Sequence, residues 1–256
     1  MTAEELLRIV QKNGAARTSS SGMATKSPLA EYGLDNVDCP LCNNTGQILY
    51  DKDGYQYSRD CECMSRRKAL RNIERSGLGK ILEKYQLENY KPDTPETTVL
   101  LKAAKEFLKA DSYWLYICGR PGSGKTHLCT GICANLINMG RTVLYMLWRD
   151  DVVRLKVSLT SHDDDYYQKR MNELKNVSVL YIDDFLKGSI TPSDVQIAFE
   201  LINYRYCNPN LQTLISSEVS MKKLVEIDEA LARRIYERCG HFCLTSPNMN
   251  RSFEFT

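Results

Sequence analysis

A glycine-rich run near the middle of the chain carries residue types that bind phosphate. Residues 119–126 read GRPGSGKT and match the pattern G-x-x-x-x-G-K-[ST] without a mismatch, directly after an apolar stretch. In such a loop the backbone amides and the start of the next helix surround the phosphates, and the lysine adds a positive charge. An incidental glycine turn is the structural alternative. Nucleotide contact is assigned to the following residues: Gly119, Pro121, Gly122, Ser123, Gly124, Lys125, Thr126 and His127. For His127, packing or capping is an open alternative.

An acidic pair ends a second apolar segment, VLYIDD at 179–184. A buried strand of this kind places its terminal carboxylate at the sheet edge where the phosphates of a nucleotide lie. We expect Asp183 to bind Mg²⁺, directly or through water, together with the hydroxyl of Thr126. Asp184 is then placed to orient or deprotonate an attacking water. A simple cap on the following loop is the alternative for Asp184.

Polar residues also follow a third apolar segment, TLISSE at 213–218. Here a side chain such as Ser217 could contact the γ-phosphate or its attacking water. Turn chemistry explains the serines equally well.

Arginines cluster on a predicted helix, ALARRIYER at 230–238. A guanidinium delivered to the nucleotide of a neighbouring subunit would stabilise the charge of the transition state. Solvated salt bridges to Glu229 or Glu237 explain these arginines equally well.

Four cysteines are spaced as metal ligands. Cys39 and Cys42 form C-x2-C, and after eighteen residues Cys61 and Cys63 form C-x-C. Four thiolates can close a tetrahedral Zn²⁺ site, and a segment this small has little core of its own, so the metal would supply most of its folding energy. A redox pair or unreactive thiols remain the alternatives.

These candidate residues need a scaffold, and the pattern after residue 80 supplies one. Strand-like and helix-like blocks alternate, which predicts an α/β fold with a five-stranded parallel sheet covered by helices. The predicted strands cover 114–119, 142–148, 177–184, 213–218 and 241–246, and the helix of the phosphate loop covers 126–140. Upstream, 3–12 suggests a short amphipathic helix and 13–27 a flexible tether. We therefore predict two domains, 1–75 with the cysteines and 76–256 with the nucleotide site.

Composition narrows the class of protein. Hydrophobic residues make up 43% and charged residues 26%, typical of a folded soluble protein. The net charge of +2 is too small to indicate a nucleic-acid or membrane partner by itself. No apolar run is long enough to span a membrane and no signal peptide is visible, so we expect a cytoplasmic protein with reduced thiols and no membrane partner.

Taken in order, these motifs resemble a known family. GRPGSGKTHL, VLYIDDF, TLISSE and DEALARRIYERC, behind the CPLC and CEC pairs, are similar to the DnaC/DnaI-type replicative helicase loaders. These loaders are AAA+ P-loop NTPases of bacteria and their phages and belong to the IstB-like ATP-binding superfamily. The resemblance covers about residue 37 to the C-terminus.

The resemblance implies a function and further site residues. It implies an ATPase that uses ATP, Mg²⁺ and Zn²⁺, binds single-stranded DNA, assembles into oligomers and loads a hexameric DnaB-type helicase. Residues 1–75 would contact the helicase. Arg234 would be the arginine finger, and Arg251 would be a second nucleotide-sensing arginine.

Two departures and two alternatives accompany the resemblance. Most AAA+ proteins have Glu where this chain has Asp184, which predicts slow hydrolysis, and Glu218 stands where many relatives have a sensor Asn, which favours Ser217 as the sensor. An IstB-type transposition ATPase is the near alternative, although the cysteine module disfavours it. A P-loop phosphotransferase acting on a small molecule is the second, and it would need an acceptor pocket and lid.

Overall fold

The computed structural model describes residues 39–64, 67, 77–110, 112–161 and 164–247. The chain divides into two compact units, Met1–Glu74 and Arg75–Thr256. We call them the cysteine unit and the nucleotide unit. The expected helix at 3–12, the tether at 13–27 and Arg251 lie outside the described residues.

A two-stranded antiparallel hairpin dominates the described part of the cysteine unit. Strand β1 (Gln47–Lys52) pairs with β2 (Tyr55–Asp60). Asp53 and Gly54 connect them with φ values of 54° and 80°. Two consecutive left-handed residues are typical of a type I′ turn, whose twist matches that of the strands, and Asp-Gly is a favoured pair there. Three of the four cysteines are buried at the base of the hairpin.

A parallel sheet forms the centre of the nucleotide unit. Its strands are β3 (Leu115–Cys118), β4 (Val143–Leu147), β5 (Val179–Asp183), β6 (Gln212–Ser217) and β7 (Cys243–Thr245). They lie in the order β4-β5-β6-β3-β7, and every pair is parallel. The five strands predicted from the sequence are therefore confirmed, and β6 separates the strand of the phosphate loop from the strand that ends in acid.

Helices connect these strands. Their bounds are α1 (Gly79–Lys84), α2 (Pro95–Phe107), α3 (Lys125–Asn138), α4 (Trp148–Thr160), α5 (Asp164–Asn176), α6 (Pro192–Tyr206), α7 (Met221–Ile227) and α8 (Glu229–Cys239), followed by a short 3-10 turn (Gly240–Phe242). Helix α6 begins with a capping box, in which Thr191 and Asp194 satisfy each other's backbone amides. Among the described residues, no helix is both long and apolar enough to cross a membrane.

The three inner strands are buried along their whole length. All residues of β3, β5 and β6 are less than 9% exposed, as expected for a parallel sheet covered on both faces. Trp114, Tyr116 and Phe185 are among the largest fully buried side chains. Burying a side chain of this size contributes about 1.5–3 kcal/mol, so this core stabilises the unit without help from a metal.

A buried arginine of α6 connects the end of α5 to the start of β6. The guanidinium of Arg205 donates to the backbone carbonyls of Leu174, Lys175, Val177 and Gln212 and to the hydroxyl of Thr213. Desolvation lowers its pKa to about 9, and full hydrogen bonding offsets that cost. The network fixes the end of α5 relative to β6.

Candidate nucleotide and zinc sites

The phosphate loop joins β3 to α3 and depends on its glycines. Gly119, Gly122 and Gly124 have φ values of 156°, 76° and 90°, a region that glycine adopts without strain. A Cβ on Gly119 would lie 2.8 Å from the Cβ of Ser246, so the residue that follows β7 packs directly against the loop. Gly124 is the residue immediately before α3, and the amides of the first helical turn therefore face the loop.

Lys125 lies inside this loop rather than in solvent. Its Nζ donates to the carbonyl oxygens of Gly119 and Arg120, both at 2.8 Å. Desolvation lowers the pKa of Lys125, opposed by the nearby carboxylates of Glu218, Asp184 and Asp183. A cation held among loop carbonyls and carboxylates is positioned to exchange those partners for phosphate oxygens.

The carboxylate of Asp183 is 5% exposed and receives several hydrogen bonds. Ser216 Oγ and the Asp184 amide donate to Oδ1, the amide at 3.1 Å, and Tyr145 OH donates to Oδ2 at 3.2 Å. The hydroxyl of Thr126 lies 3.3 and 3.4 Å from the two oxygens. Thr126 and Asp183, which the sequence assigned to Mg²⁺, thus share one point at the end of the sheet, and a hydroxyl beside a carboxylate is a donor set that suits this ion.

Asp184 is held by a lysine that the sequence did not single out for this role. The Nζ of Lys187 lies 3.2 Å from Asp184 Oδ2 and 2.7 Å from Glu218 Oε1. The bond to Glu218 and the bonds to Asp184 raise the pKa of Lys187. Asp184 itself has a φ of 54°, which Asp tolerates better than most residues. Lys187 therefore links the candidate base to the residue at the family's sensor position.

The two serines of β6 have different partners. Ser216 donates to Asp183. Ser217 donates to the carbonyl of Phe185 at 2.7 Å and accepts from the Val219 amide at 2.9 Å. Both serines are fully buried. The structure thus places Ser217, the sensor expected from the sequence, in a bridge between β6 and the loop after β5, while Ser216 contacts Asp183.

His127 faces a segment just before α2. Its Nε2 lies 2.8 Å from the carbonyl of Gln86 and 2.7 Å from Asn89 Oδ1, and its ring packs against Tyr85 and Tyr90. The packing alternative weighed from the sequence describes this arrangement. His127 anchors the segment to the first turn of α3.

Arg234 lies on the surface of α8 facing α6. Its Nε donates to Asn203 Oδ1 at 2.9 Å, and its guanidinium lies 4.7 Å from the ring centre of Phe199 and 5.7 Å from that of Tyr206. Stacking on two rings orients a guanidinium while leaving its edge accessible. Arg234 thus lines a surface pocket of about 460 Å³, together with Glu229, Arg233 and Glu237.

The neighbouring arginines have structural partners. Arg233 pairs with Glu237 at 2.8 Å, which is the salt-bridge alternative weighed from the sequence. Arg238 donates to the carbonyls of Pro209 and Leu211 and stacks on Trp114. Among the ion pairs of the described residues, neither Arg234 nor Arg238 has a carboxylate partner, but the guanidinium of Arg238 is engaged by two backbone carbonyls.

Four basic residues of the nucleotide unit could contact a DNA strand by their residue type, namely Lys156, Lys169, Arg170 and Lys187, and three of them are engaged within the unit. Lys156 pairs with Asp194 at 2.6 Å, Arg170 pairs with Asp151 at 3.0 Å, and Lys187 is held as described above. Lys169 is the fourth residue of that set and is exposed on α5. Ion pairing within the unit therefore explains Lys156, Arg170 and Lys187 at least as well as a DNA groove does.

The four cysteines of the cysteine unit converge. Their sulfurs all lie within 4.8 Å of one another, with Cys39 and Cys61 at 3.7 Å and Cys42 and Cys63 at 3.6 Å. Zn–S bonds of about 2.3 Å in a tetrahedron place the sulfurs about 3.8 Å apart, so the spacing fits zinc. The S–S separations are far too long for disulfides, for which bonded sulfurs are about 2.0 Å apart.

Donors around the sulfurs complete this site. The amide of Gly46 donates to Cys42 Sγ at 3.3 Å, and Arg67 Nε donates to Cys63 Sγ at 3.4 Å. Burial opposes ionisation of Cys42, but the Gly46 amide and the neighbouring thiols lower its pKa to about 7. Such donors to sulfur stabilise thiolate ligands and fix their orientation. The cluster could therefore hold Zn²⁺, as the spacing predicted.

The fold and the site together define a class. A phosphate loop after β3, a carboxylate ending β5 and the insertion of β6 between those strands are features of AAA+ P-loop ATP-binding proteins. The chain belongs to the IstB-like ATP binding protein family, whose model matches residues 58–254. The similarity to DnaC/DnaI-type loaders inferred from the motifs is confirmed.

Individual relatives extend this assignment. The chain is 29% identical to the phage-like element PBSX protein XkdC of Bacillus subtilis. The alignment spans 229 residues and covers 83% of this chain and 84% of that protein. It is 33% identical to YqaM of the same organism, covering 73% of this chain and 62% of that protein. The replicative helicase loader DnaC of Escherichia coli is 22% identical, over 67% of this chain and 69% of DnaC.

Solved structures share the fold. The crystal structure of DnaI superimposes with a TM-score of 0.56 at 20% identity, over 67% of this chain and 93% of that one. DnaA of Aquifex aeolicus, bound to AMPPCP, superimposes with a TM-score of 0.54 at 24% identity, over 66% and 52% of the two chains. At this identity, the matches establish the fold alone.

Proposed function

We propose that this protein is an ATP-dependent loader of a hexameric DnaB-type replicative helicase onto single-stranded DNA. The observation that carries the proposal is the combination, in one chain, of the cysteine unit with an AAA+ site in which Thr126 and Asp183 meet. The similarity to XkdC and to DnaC over most of the chain supports it. The protein would act in the cytoplasm.

In this proposal the loop residues bind ATP and the acidic residues act on its γ-phosphate. Lys125 neutralises the β- and γ-phosphates, and the amides of 119–126 surround them. Thr126 and Asp183 would hold Mg²⁺, which supplies Lewis-acid stabilisation of the transferred phosphoryl group. Asp184 orients the attacking water and accepts its proton.

Lys187 tunes this chemistry in the proposed mechanism. While Lys187 pairs with Asp184 and Glu218, the carboxylate of Asp184 is held in an ion pair and is not free to bind an attacking water. Together with the short Asp184 side chain, this ion pair favours slow hydrolysis, which suits a switch that must persist until its partner acts.

Arg234 completes the site of a neighbouring copy in the proposed oligomer. Its guanidinium is stacked, part-exposed and without a carboxylate partner among the described ion pairs, as a group that inserts into an adjacent nucleotide site requires. Arg251 is proposed as a second sensing arginine from the resemblance alone.

The direct test is capture of the helicase. Tagged full-length protein is incubated with the cognate replicative helicase, with and without MgATP, and retained helicase is quantified. We expect retention that depends on nucleotide and is lost in Lys125→Ala, while the surface variant Lys102→Ala behaves as the wild type. No retention under any nucleotide condition would reject the loader function.

A transposition ATPase is the second candidate, because the matching family model is that of IstB-like proteins. The same retention experiment separates the two when the partner is an IS21-type transposase. Retention of the transposase in place of the helicase would reverse the choice.

A further inference from the structure

The hairpin of the cysteine unit has two chemically different faces. Cross-strand partners lie on the same face, and Tyr50 is paired with Tyr57, their rings stacked at 5.7 Å. Alternation along each strand assigns the remaining residues. The tyrosine face comprises Ile48, Tyr50, Lys52, Tyr55, Tyr57 and Arg59. The opposite face comprises Gln47, Leu49, Asp51, Gln56, Ser58 and Asp60.

Charge separates completely between these faces. The tyrosine face has two basic residues and no acid, whereas the opposite face has two acids and no base. Ile48 packs on the cysteine cluster at the base of the tyrosine face, and from Tyr50 onward the side chains are open. Tyr50, Tyr55 and Tyr57 are 43%, 70% and 45% exposed.

An exposed row of tyrosines has a cost unless it serves a partner. Three large rings on a two-stranded ribbon add apolar surface to solvent, and among the described residues 39–64 and 67 the sheet has only these two strands. Lys52 and Arg59 flank the stacked pair at the two ends of the face, where they can reach a polyanion that lies along it.

We infer that the tyrosine face of the hairpin binds single-stranded nucleic acid. Bases stack on aromatic rings without regard to sequence, and flanking cations contact the phosphates, a combination typical of single-strand binding surfaces. The two-residue spacing that puts three tyrosines on one face provides successive stacking platforms. This face belongs to the cysteine unit and uses none of the residues of the candidate nucleotide site, so the inference can be tested independently of the loader proposal.

Fluorescence anisotropy of a labelled oligothymidylate with full-length protein, free of nucleotide and at low salt, tests this inference. We expect Tyr50→Ala/Tyr57→Ala to weaken binding by about tenfold or more. Tyr50→Phe/Tyr57→Phe keeps the rings and retains the affinity. The opposite-face control Gln56→Ala/Ser58→Ala also retains it, and each variant must keep its zinc, which shows that the unit is folded.

Salt dependence tests the cations separately. Removing two phosphate contacts with Lys52→Ala/Arg59→Ala should reduce the slope of log affinity against log salt by about 1.4. Photocrosslinking to a bromodeoxyuridine strand should label a peptide within 47–60.

Two results would overturn the inference. One is crosslinking confined to the nucleotide unit with unchanged affinity in Tyr50→Ala/Tyr57→Ala. The other is loss of helicase capture in that variant with DNA affinity intact, which would make this face a protein-binding surface. Failure of helicase capture by the wild type, with DNA affinity that follows the tyrosines, would reject only the loader proposal.

Discussion

The two units of this chain reach a defined structure by different means. In the nucleotide unit, three strands are completely buried and a large apolar cluster extends from Trp114 to Cys239. In the cysteine unit, the described core is three cysteines with Ile48 and Cys63 packed against them, and both strands of the hairpin are exposed almost throughout. The first unit has enough buried area to fold by itself, whereas the described part of the second has little core, so we expect its folding to depend on the coordination energy of a metal.

This difference is reflected in how each unit uses charge. Several charged groups of the nucleotide unit are engaged at the candidate phosphate site or in ion pairs, such as Lys187 between Asp184 and Glu218. In the cysteine unit, charge is sorted between the two faces of a ribbon. A large core can fix polar groups in the positions that chemistry requires. An exposed hairpin with little core mainly presents a binding surface.

Removal of the metal should produce the largest difference between the two units. Binding energies of structural zinc are about 10–16 kcal/mol, so Cys42→Ser/Cys61→Ser or chelation should unfold the cysteine unit completely. Hydrogen exchange should show loss of amide protection at 47–60 and unchanged protection at 179–183. The control Cys207→Ser, at an exposed thiol, should keep one equivalent of zinc. Equal loss of protection in both segments would show that the units are not independent.

A cavity in the nucleotide unit should produce the converse result. Leu201→Ala removes a fully buried side chain of α6 and should lower the free energy of unfolding by about 2–5 kcal/mol. Its zinc content should remain at the wild-type level. The exposed control Val153→Ala should change stability by less than about 0.5 kcal/mol, as measured by denaturant unfolding. Zinc loss in Leu201→Ala would contradict the separation.

The chemistry should also be confined to one unit. Asp184→Asn should reduce ATP turnover by about a hundredfold, near 2.7 kcal/mol, while ATP binding and zinc content persist. Lys187→Ala should keep binding and turn over ATP faster than the wild type, because Asp184 is released from its ion pair. Steady-state phosphate release measures both, and unchanged turnover in Asp184→Asn would remove that residue from catalysis.

The smallest effects should differ in where they appear. Gly54→Ala places a side chain at a φ of 80°, which costs about 1–2 kcal/mol. We expect folding and metal binding to be coupled in the cysteine unit, so this cost should appear as zinc affinity weakened about fivefold or more. Thr191→Ala removes a helix cap at a similar cost of about 1 kcal/mol, which should appear as reduced thermal stability with unchanged zinc affinity.

The sequence predicted what depends on local pattern. Short-range patterns were sufficient to find the phosphate loop, all five strands and the four cysteines. Glycine positions, apolar runs and ligand spacing can each be recognised within a short stretch of sequence. Contacts between distant residues could not be found in this way. Nothing adjacent to Lys187 indicates its ion pair with Glu218, and nothing adjacent to Tyr145 indicates that its hydroxyl reaches Asp183 on the neighbouring strand.

Ser217 and His127 show the same limit. Their residue types suit a sensor and a nucleotide contact, but the neighbours that engage them, Phe185 and Gln86, come from loops whose paths depend on packing. Because turn chemistry and packing were open alternatives for these residues, the sequence alone did not decide between them.

Nucleotide binding at the phosphate loop is the central claim, and titration calorimetry measures it directly. Full-length protein titrated with MgATP should give saturable heat with one site per chain, and Lys125→Ala should abolish that heat while the surface control Lys102→Ala retains it. Absence of saturable heat in folded wild-type protein, or wild-type affinity in Lys125→Ala, would contradict the account.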